Sequence, residues 1–135
     1  MFATAWIGIV DKRTMKLQYT NAGHNYPVFQ HKDQPCEMVK KKHGLFLGGM
    51  DFMKYRQDEI QLVPGDRLLL YTDGVVEAHN RNKELYGDDR LMNMLDSTRD
   101  LPGEQVLERI FADVNEYAAE VPQFDDITMV VLSVK

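Results

Sequence analysis

Cysteine, excess basic charge and long apolar runs are all scarce in this chain, and each scarcity removes a class of explanation. A single cysteine, Cys36, excludes an internal disulfide and cannot build a thiolate metal cluster by itself. It fits a reducing, cytoplasmic setting. Sixteen Lys and Arg stand against 21 Asp and Glu, a net charge of −5, which argues against nucleic-acid binding because that relies on a basic face. An acidic balance suits a protein that holds cations or meets a basic partner, although most acidic proteins are simply soluble. No apolar window approaches the length needed to span a bilayer, and the first residues show no basic-then-apolar leader pattern, so no membrane contact is expected of this segment. Also missing are a phosphate-cradling Gly-x-x-x-x-Gly-Lys loop, a His-Glu-x-x-His helix and a serine–histidine–carboxylate spacing.

What remains is ordinary in bulk and specific in pattern. The 135 residues, 44% apolar and 27% charged, are the size and composition of one globular domain, residues 1–135, with no repeat, low-complexity segment or linker. Residues 3–10 and 16–21 read as two strands around an Asp11-Lys12-Arg13-Thr14 hairpin, and Pro27-Val28-Phe29-Gln30 starts a third. Residues 31–43, with six Lys and His, read as a solvated hairpin and not as a binding site. Leu45-Phe46-Leu47-Gly48-Gly49 reads as a flexible loop, and Tyr55 to Leu62 as an exposed strand. Two helices are expected next. One is opened by Gly87-Asp88-Asp89 and carries Leu91, Met92, Met94 and Leu95. The other, opened by Pro102-Gly103-Glu104, is expected to place Val106, Leu107, Ile110, Phe111, Val114 and Tyr117 on one face. Ile127 to Val134 is the clearest strand. Strands first, helices next and a closing strand predict a layered α+β architecture. The chain enters an apolar strand at once, which suggests a strand cut from the middle of something longer.

The chemistry gathers around Leu68-Leu69-Leu70-Tyr71-Thr72-Asp73-Gly74-Val75-Val76-Glu77-Ala78. An apolar run framed by Pro64-Gly65-Asp66 and Asn80-Arg81-Asn82 predicts a buried strand, 67–72, ending on Asp73. A carboxylate there is fixed yet can reach solvent, and Gly74 lets the backbone turn or approach a ligand closely. Taken alone, Asp73-Gly74 reads first as a turn, and Asp125-Asp126 as a solubilising turn before the last strand. Should those two strands be antiparallel neighbours, however, their carboxylates converge at one sheet edge. Oxygen ligands of that kind suit Mg²⁺ or Mn²⁺.

Six blocks in order carry a resemblance over the whole chain. They are Met1-Phe2-Ala3-Thr4-Ala5, Asn21-Ala22-Gly23-His24-Asn25-Tyr26-Pro27, Pro64-Gly65-Asp66, Tyr71-Thr72-Asp73-Gly74-Val75-Val76-Glu77-Ala78, Tyr86-Gly87 and Asp125-Asp126-Ile127-Thr128. Together they resemble the SpoIIE/RsbU-type serine phosphatases, a bacterial branch of the PP2C-like metal-dependent class. The resemblance implies an α-β-β-α sandwich of mostly antiparallel sheets, here partial, with two helices in the C-terminal half. It implies a binuclear Mn²⁺ or Mg²⁺ centre whose bridging water attacks phosphoserine or phosphothreonine. Asp73 and Asp125 fall on the catalytic, metal-binding aspartates; Asp126 is the fallback for Asp125, and Gly74 stands beside the metals. Asn21, His24, Asn25, Thr72 and Glu77 fall on motif positions where a structural role is at least as good a reading.

The resemblance also implies a phosphorylated anti-anti-sigma (STAS-type) substrate in partner-switching signalling, with a sensor domain or membrane segment upstream. The family's earlier Asp-x-x-Gly-His-Gly block is absent. The chain therefore reads as an N-terminally truncated domain expected to bind metal weakly, turn over little or nothing, and self-associate through exposed sheet edges, as a homodimer by strand exchange. The rival readings are a non-catalytic pseudophosphatase that docks a partner, and an unrelated acidic α+β scaffold.

Overall fold

The computed structural model describes residues 2–135, so Met1 of the first motif block lies outside the described residues. Seven strands and three helices form three layers. Strands β1 (Ala5–Asp11), β2 (Lys16–Ala22) and β5 (Asp58–Gln61) make one antiparallel sheet, ordered β1-β2-β5. Strands β3 (Val28–Gln30), β4 (Glu37–Met38), β6 (Arg67–Tyr71) and β7 (Met129–Ser133) make the second, ordered β4-β3-β6-β7. Helices α2 (Gly87–Ser97) and α3 (Gly103–Ala118) cover the far face of that second sheet.

Period-two alternation explains the layering. In β2, Leu17 and Tyr19 are buried while Lys16 and Gln18 face water. Leu17 and Tyr19 join Phe29, Leu62, Leu68 and Val134 in a core between the two sheets, with Trp6 stacked on Tyr19 at 5.6 Å between ring centroids. The alternate residues of the second sheet, Val28, Leu69 and Tyr71, point the other way and meet Leu91, Leu95, Val106, Ile110 and Val114 of the helices. Strand β6 lies between β3 and β7, and one of its faces meets the first sheet while the other meets the helices, so its sequence reads as one apolar run. Burying a leucine fully is worth roughly 1.5–3 kcal/mol. Leu68 and Leu69, buried on opposite faces, therefore make β6 a fixed platform for whatever lies at its ends.

Helix α3 buries Val106, Ile110 and Val114, four residues apart, and half-buries Leu107 and Tyr117. Phe111 departs from the expected face: it is 44% exposed because no element packs beyond the Leu107 margin of the helix. The two helices are clamped where Arg90 donates two 2.9 Å bonds to Asp113, Tyr86 donates another at 2.7 Å, and the guanidinium lies over the Tyr117 ring.

Two further expectations need correction. Residues 31–43 are not solvated throughout. A β3–β4 hairpin fills the first part, and His43 at the end is buried because three hydrogen bonds hold it against the first sheet. Asp73-Gly74 is not a bare turn. It opens a one-turn helix, α1 (Asp73–Val76), a third helix where two were expected, closed by the Glu77 N–H donating to the Asp73 carbonyl at 2.8 Å. On the other side of the molecule, β1 leaves one edge unpaired, with Ile7 and Ile9 exposed on its outer face.

Candidate active site

The site grows from the pairing of β6 with β7. Their antiparallel register ends at Tyr71 opposite Met129, so the residue leaving β6 and the residues entering β7 share one edge. Thr72 staples that edge. Its N–H donates to the Thr128 carbonyl at 3.0 Å, its hydroxyl donates to the Asp126 carbonyl at 3.1 Å, and the hydroxyl oxygen accepts the Thr128 N–H at 3.0 Å. Gly74 lets the two segments touch. A Cβ there would overlap the Asp126 carbonyl and lie 3.1 Å from that of Asp125. What the structure shows at Gly74 is thus backbone contact between the two acidic segments, a requirement of space and not of a left-handed φ.

Asp73, Asp125 and Asp126 are all exposed, and among the described residues none is in an ion pair. Asp125 accepts the Asp126 N–H at 2.8 Å, which orients its carboxylate from within the turn. All three offer only oxygen, the donor set of a hard divalent cation. Among the described residues no three His, Cys, Asp or Glu side chains stand close enough to hold a metal by themselves.

Two cavities flank this edge. One, about 250 Å³, is lined by Asp73, Tyr71 and Asp88 together with Thr4, Gly23 to Tyr26, Met38 and Lys42. Burial, then the charges of Asp88 and Asp73, push the Tyr71 phenol well above its usual range, so it stays protonated beside Asp73. The other, about 220 Å³, lies on the helix side and is lined by Gly74, Glu77, His79 and Asp125 with apolar Val121 and Ile127 and the exposed Phe124. Glu77 lines this second cavity and not the first.

The Asn21–Pro27 block builds the first cavity's rim. Asn21 is fully buried, and its side-chain oxygen accepts the His24 N–H at 2.8 Å, closing the loop. The His24 ring then meets the Thr4 hydroxyl at 3.1 Å through Nδ1. His43 locks the next segment alongside. Its N–H donates to the Asn21 carbonyl at 2.9 Å, its Nδ1 accepts the Asn21 N–H at 2.9 Å, and its Nε2 lies 2.9 Å from Asp58. The structure therefore joins Asp73 to the Asp125–Asp126 turn, and brings His24 and Asn25 to the same cavity as Asp73. Lys42, Tyr71 and Asp88 are the additions that sequence reasoning missed. Lys42 owes its place to the bridge between Ala22 and Gly44, a long-range pairing with no local signature.

A two-sheet α+β sandwich with aspartates gathered at one sheet edge has the architecture of the PP2C-like phosphatase domains. The comparisons agree: the family model of Stage II sporulation protein E (SpoIIE) matches residues 1–135, and the chain belongs to that family. It is 35% identical to Protein IcfG of Synechocystis sp. over 96% of this chain and 20% of that protein. Phosphoserine phosphatase RsbU of Bacillus subtilis is 27% identical over 98% of the chain and 39% of its own length. The SiaA-PP2C domain of Pseudomonas aeruginosa superposes with a TM-score of 0.84 at 26% identity, covering 98% of this chain and 51% of that one. The Mn-presoaked phosphatase domain of Bacillus subtilis SpoIIE superposes at 0.69 and 17% identity, over 97% of this chain and 56% of that one, which speaks for the fold. The chain thus spans about half the length of these solved domains and less than half of the two curated relatives.

Proposed function

We propose that this chain is the C-terminal portion of a metal-dependent protein serine/threonine phosphatase domain, acting in the longer protein on a phosphorylated regulatory partner. The observation that carries the reading is the stapled β6–β7 edge, which puts Asp73 and Asp125 on adjoining backbone. Asp73 and Asp125, with Asp126 beside them, would hold Mn²⁺ or Mg²⁺. When bound, such ions supply Lewis acidity and an activated water for phosphoryl transfer. The chain's own residues fix the carboxylates on a rigid strand, keep a neutral Tyr71 hydroxyl next to them and leave an open cavity on the Asp73 side for the phosphoester.

The incomplete ligand set supports the further reading that this segment alone binds metal weakly and turns over little, the remaining ligands coming from the upstream half of the domain. We propose a STAS-type anti-anti-sigma protein as the substrate, in a cytoplasmic partner-switching circuit; likeness to RsbU supports it. No described helix is long and apolar enough to cross a membrane. The same incomplete ligand set favours a second reading, a non-catalytic docking module.

The deciding experiment follows Mn²⁺-dependent hydrolysis of a phosphoserine peptide by a longer protein that includes the upstream half. Loss of turnover in both Asp73→Asn and Asp125→Asn is expected. Undiminished turnover in either variant overturns the assignment of that residue, and absence of turnover in the unaltered longer protein favours the docking module.

A further inference from the structure

The cavity on the Asp73 side has a lining of mixed charge that the metal-site reading does not use. Asp73 and Asp88 line it together with a cation, Lys42, and with His24 and Asn25. Lys42 makes no ion pair among the described residues, and its ammonium lies 5.6 Å from the centroid of the Tyr26 ring. An exposed lysine that pairs with no carboxylate among the described residues and lies beside an aromatic face at a cavity's rim is placed for an incoming anion.

Its place is fixed from the backbone. The next residue, His43, is buried and held by the Asn21 backbone on one side and Asp58 on the other. The neighbouring Lys40 and Lys41 line a different cavity, beside Glu37 and Ile60, so one lysine of the Lys40–Lys42 run turns to Asp73. The Thr4 hydroxyl lies 3.1 Å from His24 Nδ1, so the ring's other nitrogen, Nε2, is left to meet a ligand and donates when it carries the proton. The Asn25 amide adds two more donors.

We propose that Lys42, His24 and Asn25 form a phosphate-recognition cluster in the cavity that Asp73 lines, holding the phosphoryl oxygens of the substrate through the ammonium and neutral N–H donors. The inference rests on the phosphatase reading of the Asp73 edge for its choice of ligand. With a cation held on the carboxylates, whatever sits between it and these three residues must present negative oxygen to both, and a phosphate monoester dianion does. The cavity's volume of about 250 Å³ leaves room for it, since one water takes roughly 30 Å³.

The test uses this chain without divalent cations. Inorganic phosphate is titrated at constant ionic strength while backbone amides are followed by NMR, with a phosphoserine peptide and its unphosphorylated form in parallel. Saturable shifts centred on His24, Asn25 and Lys42 are expected from phosphate and the phosphopeptide alone. Lys42→Ala should weaken binding about tenfold, the loss of a charged hydrogen bond. Lys42→Arg should retain most of it, and Lys41→Ala should change nothing. Absence of saturable shifts, or equal affinity in Lys42→Ala, overturns the proposal. In the longer protein, Lys42→Ala should raise KM for the phosphopeptide with a smaller change in kcat; unchanged KM overturns it as well. Failure of the phosphatase reading looks different: phosphate binding stays intact and sensitive to Lys42, while the longer protein hydrolyses nothing.

Discussion

Strand β6 begins with one aspartate and ends near another, and the two could hardly be treated more differently. Asp66, at the start, is fully buried; its carboxylate accepts the Val63 N–H at 2.9 Å and the Lys32 N–H at 3.2 Å, and its carbonyl accepts the Val134 N–H. Asp73, just past the end, is exposed and unpaired, yet its backbone is fixed by the Thr72 staple and the Gly74 contact. A carboxylate saturated by backbone donors is a structural part. One held on a rigid platform with its oxygens free is placed to meet a ligand. The same residue type in two motif blocks thus sits in opposite surroundings, and the partners of each tell them apart.

Substitutions can break this contrast. The largest effect is expected for Asp66→Ala, which takes the carboxylate from the part-buried Val63 and Lys32 N–H groups, hydrogen bonds to a charged acceptor worth about 1.5–3 kcal/mol each. Its urea midpoint should fall by the equivalent of about 3 kcal/mol, and an unchanged midpoint would remove Asp66 from the structural role. Gly74→Ala comes next, because its Cβ must displace the Asp126 carbonyl. Overpacking of this kind costs about 1–3 kcal/mol. The same displacement should abolish Mn²⁺ binding in the longer protein, whereas unaltered binding would show that the β6–β7 edge tolerates separation.

Asp113 is an intermediate case, half-buried and paired with Arg90. The hydrogen bond from Arg90 holds its carboxyl below the usual carboxylate range, against a desolvation that works the other way. Its folded value is depressed, so the stabilisation is present in full above the unfolded carboxylate value of about 3.9 and is lost as pH falls through the lower folded value. Asp113→Asn should therefore narrow the stability gap to the parent as acid is added below about pH 4. A gap independent of pH from 2 to 7 would contradict the pairing. The smallest effect on stability is expected of Asp73→Asn, within about 0.5 kcal/mol of the parent. A larger loss would mean that Asp73 has structural partners after all.

The Asp73 side of this contrast was legible in the sequence because it rests on local pattern, whereas the burial of Asp66 was not. The apolar run ending on Asp73 and the strand after Asp126 are period and punctuation, and their pairing follows once both are strands. The stripe Val106, Ile110, Val114 was equally plain, although Phe111 shows that periodicity marks a face without marking its margin. His43 and Lys42 were not legible: they sit in a run of lysines without periodicity, and only the pairing of residue 22 with residue 44 gives them a place. Gly74 was read as a point of close backbone approach, but which atoms it admits was not legible: they are those of Asp126, fifty-two residues later in the chain. Contacts across such separations leave no trace in spacing.

The most direct test of the account is a calorimetric Mn²⁺ titration of the longer protein beside its Asp73→Asn and Asp125→Asn variants, each first shown to be folded. The account predicts saturable binding in the parent and its loss in both variants. Equal binding in all three would contradict the convergence of the two aspartates on one metal centre.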